Sequence, residues 1–143
     1  MTEIIVVGVD GRETSARAAE KALELARSLG AQLHVVTAFD ADRVSSHGTS
    51  YERAAVLGDP REKATETTRT VAQGLQADGV TISSFIEAGT PAKALIAHAD
   101  KHGARMIVVG NRRMKGLARV LGSVANSVAH DAVCDVYIVD TAE

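Results

Sequence analysis

A chain of 143 residues with a formal net charge of −2 has the length of one domain with a full core, and it has no overall attraction for nucleic acid or an anionic membrane. Hydrophobic residues make up 45% of it but aromatics only 3%, which leaves Val, Ile, Leu and Ala to build a parallel sheet covered by Ala-rich helices. No run reaches the ~20 apolar residues of a membrane span, the first apolar run is too short for a secretion signal, and Cys134 has no second cysteine, so the reading is a soluble, cytoplasmic protein with one buried structural thiol.

The first element is "EIIVVGVD", a short continuous apolar strand. In the helix that follows, Ala19, Leu23, Ala26 and Leu29 share one face, Ser15 or Thr14 caps the start and Gly30 the end. "AQLHVVTAFD" is a second strand, and Ala41 to Gly58 is a long polar loop without period. A second helix opens on Asp59 with Pro60 at its first position and Glu62 as reciprocal cap, and it stops near Asp78 and Gly79. "VTISSFIEAG" is a third strand, "TPAKALIAHADKHG" a helix capped by Thr90, "ARMIVVG" a fourth strand, "VANSVAHDA" a fourth helix and "CDVYIVDT" a last strand.

Strict alternation of strand and helix implies a five-stranded parallel sheet with helices on both faces, residues 1–143 forming one domain. With strand order 3-2-1-4-5, ligands bind where the winding reverses, between the first and fourth strands. The loops facing each other there are "GVDGRETS" and "GNRRMKGLARVLGS".

The second of these loops is built for a phosphate. Gly110 ends its strand, Gly116 and Gly122 follow, and Ser123 is the expected N-cap of the last helix. The amides of Ser123 and Val124, the Ser123 hydroxyl and Ser127 one turn on would cradle an anion at the helix dipole's positive end. Arg112, Arg113, Lys115 and Arg119 are either phosphate partners or a solvated basic loop. Asp10 either holds Mg²⁺ beside a phosphate, accepts a hydrogen bond from a ribose hydroxyl, or simply shapes the turn before Gly11. The backbone at Thr37 and Ala38 would read an adenine edge. His98 and His102 share a helix face but show no third ligand nearby, so they are expected to be solvated and no metal is assigned to them. His34, His47 and His130 likewise lack a nucleophile partner.

Three segments, "IIVVGVDGRETSARAAEKALELA", "AGTPAKALIAHADKHGARMIVVGN" and "GLARVLGSVANSVAHDAVCDVYIVD", carry a resemblance to the universal stress protein family over essentially the whole chain. The resemblance implies a Rossmann-like fold of the adenine nucleotide alpha hydrolase type. It also implies a homodimer joined through the last strand, Asp135 to Asp140, whose exposed edge would otherwise be bare.

The family's ATP-binding branch carries Gly, two residues, Gly, nine residues, then Gly with Ser or Thr. Gly110 and the Gly122–Ser123 pair match its ends, Arg113 stands at the second glycine, and the remaining segment is one residue shorter. The implied ligand, ATP, AMP or cyclic AMP, would touch Gly8, Val9, Asp10, Ala38, Asn111 and the loop residues named above, with Mg²⁺ through Asp10. Three functions follow: a regulatory adenine-nucleotide-binding dimer, a slow ATP hydrolase, or a nucleotide-free interaction protein with Arg113 in the pocket. No general base or nucleophile is evident in either loop, so no catalytic residue is assigned.

Overall fold

A computed structural model describes residues 2–41, 58–75, 79–111 and 120–141. In chain order the elements are β1 (Ile4–Gly8), α1 (Glu13–Leu29), β2 (Gln32–Phe39), α2 (Pro60–Gly74), β3 (Ile82–Ala88), α3 (Pro91–His102), β4 (Met106–Asn111), α4 (Ser123–Asp131) and β5 (Asp135–Asp140). All pairings are parallel and the order is β3-β2-β1-β4-β5, as the alternation implied.

Period-two alternation divides the core. Ile5, Val7, Leu33, Val35 and Val108 face α1 and α2, whereas Val6, Val36, Ile107 and Val109 face α3 and α4. Helix α1 can lie close to the sheet because its buried face is all alanine: Ala18, Ala19, Ala22 and Ala26. The expected stripe is therefore shifted. Leu23 is half-buried and Leu29 exposed, because the sheet admits small side chains along this helix and sends the larger ones to its flanks.

The helix starts also differ in detail. Arg12, not Ser15 or Thr14, is the N-cap residue of α1 and makes no side-chain cap, while Gly30 ends the helix in the left-handed region with φ 65°. Ser15 instead donates its hydroxyl to the Arg12 carbonyl at 2.9 Å and accepts from the Asp10 amide at 3.2 Å, bracing the turn after β1. Asp59 caps α2 by accepting from the Arg61 amide at 2.9 Å, with Pro60 in the first turn and no reciprocal bond from Glu62 among the described residues. That helix ends at Gly74, short of the expected Asp78 and Gly79. Thr90 is the N-cap residue of α3, but its hydroxyl makes no cap bond. Cys134 is half-buried, and burial pushes its thiol pKa up, so the group stays protonated and inert at neutral pH. None of the described helices is long and apolar enough to cross a membrane.

One expectation fails for a tertiary reason. His98 is fully buried rather than solvated, and it packs with His34 of β2 and the half-buried His102. Burial, followed by repulsion from His98 and His102, lowers the His34 pKa to about 4, and burial likewise lowers that of His98.

The folded chain therefore resists protons that the unfolded chain takes up near pH 6.5. The stability held by these neutral rings is complete above about pH 6.5 and is lost as pH falls toward 4. Scanning calorimetry in the presence of chelator should show the melting temperature dropping between pH 7 and 5. The drop should be shallower in His34→Gln; equal slopes in the two proteins would refute the assignment.

Candidate functional site

A cavity of about 210 Å³ opens where the chain winding reverses, beyond the carboxyl ends of β1 and β4. Gly8, Val9 and Asp10 form its floor, and Gly110 the wall opposite. Val36, Leu95, Pro91 and Val109 give it apolar sides, Ala38 closes the β2 end, and Val124 brings in the first turn of α4. Two close approaches shape it. A Cβ on Gly8 would lie 2.7 Å from Leu95 Cδ1, and one on Gly110 would lie 2.9 Å from Thr141 Cγ2. These glycines thus admit neighbouring side chains of α3 and the β5 end to the cavity wall, as well as bordering the space themselves.

Thr141 is the residue that sequence reasoning missed. It follows β5 directly, its amide donates to the Asn111 carbonyl at 3.0 Å, and its own carbonyl accepts from Arg17 Nη1 at 3.1 Å. Thr141 lines the cavity, while its hydroxyl is buried out of reach of solvent and has no hydrogen-bond partner among the described residues. A buried hydroxyl without a partner costs on the order of 1–3 kcal/mol, so a small side-chain rotation that brought it to a polar ligand atom would recover that cost. A terminal Thr after a strand carries no motif, and only the parallel β4–β5 register brings it beside Gly110.

The exposed Asp10 side chain has its Oδ1 accepting from the Arg12 amide at 2.9 Å and its Oδ2 3.8 Å from Arg12 Nε. It shapes the turn and still presents an oxygen outward. Thr14 and Ser15 complete this side.

Asn111 and Thr37 are placed differently from the other candidates. Neither lines the cavity. The buried Asn111 side chain accepts from the Gly122 amide at 2.7 Å and donates to the Val120 carbonyl at 3.1 Å, which fixes the segment entering α4 against the end of β4. Thr37 points to the other face of the sheet, as period-two geometry requires of a neighbour of Ala38, and its hydroxyl accepts from Thr68 at 2.7 Å.

Gly122, not Ser123, is the N-cap residue of α4: its carbonyl takes the Asn126 amide at 2.9 Å, and Ser123 is the first helical residue. A glycine cap supplies no side-chain oxygen to the first-turn amides, so the amides of Ser123, Val124 and Ala125 have no intrahelical partner and head the helix dipole. Ser123 is exposed, and Ser127 half-buried one turn further on. Arg112, Arg113, Lys115, Gly116 and Arg119 lie outside the described residues, as does His47.

The donor set also bears on Mg²⁺. Asp10 is not part of any group of three potential protein ligands among the described residues, so this site offers the ion one carboxylate. That fits Mg²⁺ only as an ion arriving with nucleotide phosphates, which would complete its oxygen shell.

Comparison with known proteins adds family information to this geometry. The model of the universal stress protein family matches residues 1–140. A universal stress protein of Synechocystis sp. is 30% identical over 147 residues, covering 94% of this chain and 96% of its own length. Universal stress protein A homolog 2 of Coxiella burnetii is 36% identical over 124 residues, covering 84% and 82%. A crystal structure of a universal stress protein in complex with cAMP superposes with a TM-score of 0.71 at 30% identity, covering 97% of each chain.

Proposed function

Since this chain belongs to the universal stress protein family, we propose that it is a regulatory adenine-nucleotide-binding protein of the stress response, acting in the cytoplasm as a homodimer without efficient catalysis. The observation that carries the reading is the cavity at the β1–β4 reversal, where Gly8, Asp10 and Gly110 meet the first turn of α4 at Val124. Binding of cAMP by a relative of 30% identity supports an adenine nucleotide as the ligand class.

In this reading the base lies between the apolar side chains of Val36, Leu95 and Val109, with the backbone at Ala38 and Thr37 meeting its polar edge. Asp10 and Thr141 serve the ribose. A volume of about 210 Å³ suits a nucleoside rather than a whole triphosphate, so the phosphates extend to the rim, toward the amides of Ser123 and Val124. Gly122 and Ser127 belong to the same phosphate side, Arg112, Arg113 and Gly116 are candidates for it by sequence, and Asp10 with the phosphates would hold any Mg²⁺. When bound, that ion would neutralise phosphate charge.

Asp10 itself is tied to Arg12 and, among the described residues, has no histidine within hydrogen-bond reach to act with it in hydrolysis, which supports retention of the nucleotide over turnover. The homodimer is proposed to form through β5, which among the described residues pairs with β4 alone and leaves one edge for a second chain.

The test is calorimetric titration of the purified protein with ATP, AMP and cyclic AMP, after analysis for nucleotide retained through purification. Saturable binding of at least one of them at one site per chain is expected. Binding of none would favour the nucleotide-free interaction protein. Phosphate release that disappears in Asp10→Ala would favour the slow hydrolase.

A further inference from the structure

Three imidazoles converge on the α3 side of the sheet, away from the α4 amides. His34 comes from β2, His98 and His102 from successive turns of α3, and one donor nitrogen from each lies within 4.8 Å of the others. His34 Nδ1 and His98 Nε2 are 2.9 Å apart. The His98 and His102 ring centroids are separated by 4.2 Å, and the His34 and His102 centroids by 5.0 Å. His34 and His98 are buried, while the half-buried His102 leads from the cluster to solvent.

A carboxylate orients the central ring. His98 Nδ1 lies 3.0 Å from Glu87 Oε1 of β3, an oxygen that also accepts from Lys101 Nζ at 3.3 Å. Carboxylates accept only, so the His98 proton resides on Nδ1 and its Nε2 lone pair is directed at His34. The 2.9 Å contact is then closed by a proton on His34 Nδ1. A carboxylate behind a histidine whose other nitrogen meets two further imidazoles is the arrangement in which a metal takes the place of a shared proton.

We propose that His34, His98 and His102 form a binding site for one divalent transition-metal ion of the zinc type, with water in the fourth position on the His102 side. Three imidazoles select a borderline cation, because harder ions such as Mg²⁺ and Ca²⁺ require oxygen donors. Tetrahedral coordination at a Zn–N distance near 2.0–2.1 Å sets nitrogens roughly 3.3 Å apart. The His34–His98 separation of 2.9 Å widens slightly to reach this, and the half-buried His102 ring closes on the ion from the solvent side.

Binding needs no net proton loss: the His34 proton moves from Nδ1 to Nε2, and Nδ1 becomes a ligand. The exposed Lys101 ammonium is neutralised by Glu87 and leaves the imidazoles facing no unpaired cation among the described residues.

The test uses the full chain after chelator treatment and dialysis, titrated with Zn²⁺ by calorimetry at pH 7.5 and with Co²⁺ by visible absorption. One Zn²⁺ per chain at low-micromolar affinity or tighter is expected, with Co²⁺ giving the intense bands of a tetrahedral site. His102→Gln, at a half-buried position that the fold tolerates, should weaken Zn²⁺ at least ~10-fold, and Glu87→Gln should weaken it measurably. His130→Gln, on the exposed end of α4, should leave it unchanged. Failure to bind one equivalent of Zn²⁺, or equal binding by wild type and His102→Gln, would overturn the proposal, whatever the outcome for nucleotides.

Discussion

Gly122→Val is expected to lower affinity for adenine nucleotides by at least ~30-fold, about 2 kcal/mol, while the chain stays folded. The backbone at Gly122, with φ −64° and ψ 164°, is open to any residue, so no conformational strain accompanies the change. A Cβ there meets Asn111 Oδ1 at 3.2 Å, a contact that yields by a few tenths of an ångström. The two branches of valine add bulk at the entrance to the first-turn amides, where the phosphates are proposed to rest. Gly122→Ala is the control: its single methyl should retain binding within a few-fold. Calorimetric titration separates the outcomes, and unimpaired binding by the valine variant would move the phosphates away from α4. A melting temperature within ~3 °C of the parent would show that the loss is local.

Ile107→Ala should destabilise the fold by about 2–5 kcal/mol and lower the melting temperature by on the order of 6–15 °C. Ile107 is fully buried on β4, beside the central β1, and faces the α3–α4 layer with Val6, Leu95 and Val128. With only two Phe, two Tyr and no Trp in the chain, this layer consists mostly of aliphatic side chains, and its Phe85 ring is already engaged against His34 and His98. Urea denaturation followed by circular dichroism measures the change; a loss below ~1 kcal/mol would mean that the helices can settle onto the sheet, contrary to the rigid packing inferred here.

Much of the architecture is legible in local sequence because the forces that fix it are local or periodic. "IIVVG", "QLHVV" and "MIVVG" are nearly continuous apolar runs, as strands covered on both faces must be, and the intervening helices begin and end on Pro60, Pro91, Gly30 and Gly103. Boundaries fail where two neighbouring residues are equally able to cap. Gly122 and Ser123 compete, and the Asn111 amide, which reaches back from the end of β4, decides in favour of the glycine.

The candidate site is legible where it follows strand ends. Gly8, Val9, Asp10, Ala38, Gly110 and Val124 meet around one cavity. Thr141 carries no motif because its place in the cavity wall arises from the β4–β5 register, and the buried Thr37 side chain, turned to the opposite sheet face, leaves only its backbone on the site side. The histidine cluster shows the same limit. His98 and His102 are a visible pair, but His34 is 64 residues from His98, and only the parallel docking of α3 across β2 and β3 brings it within reach.

The strand that leads into Thr141 has two neighbours of different kinds: the cavity is lined by the residue that follows it, while its outer edge is proposed to receive a second chain. A nucleotide and a twin subunit would then stiffen the same six residues, Asp135–Asp140, from opposite sides. If filling the cavity favours self-association by some factor, self-association must favour filling the cavity by that same factor, and nucleotide affinity will rise with protein concentration.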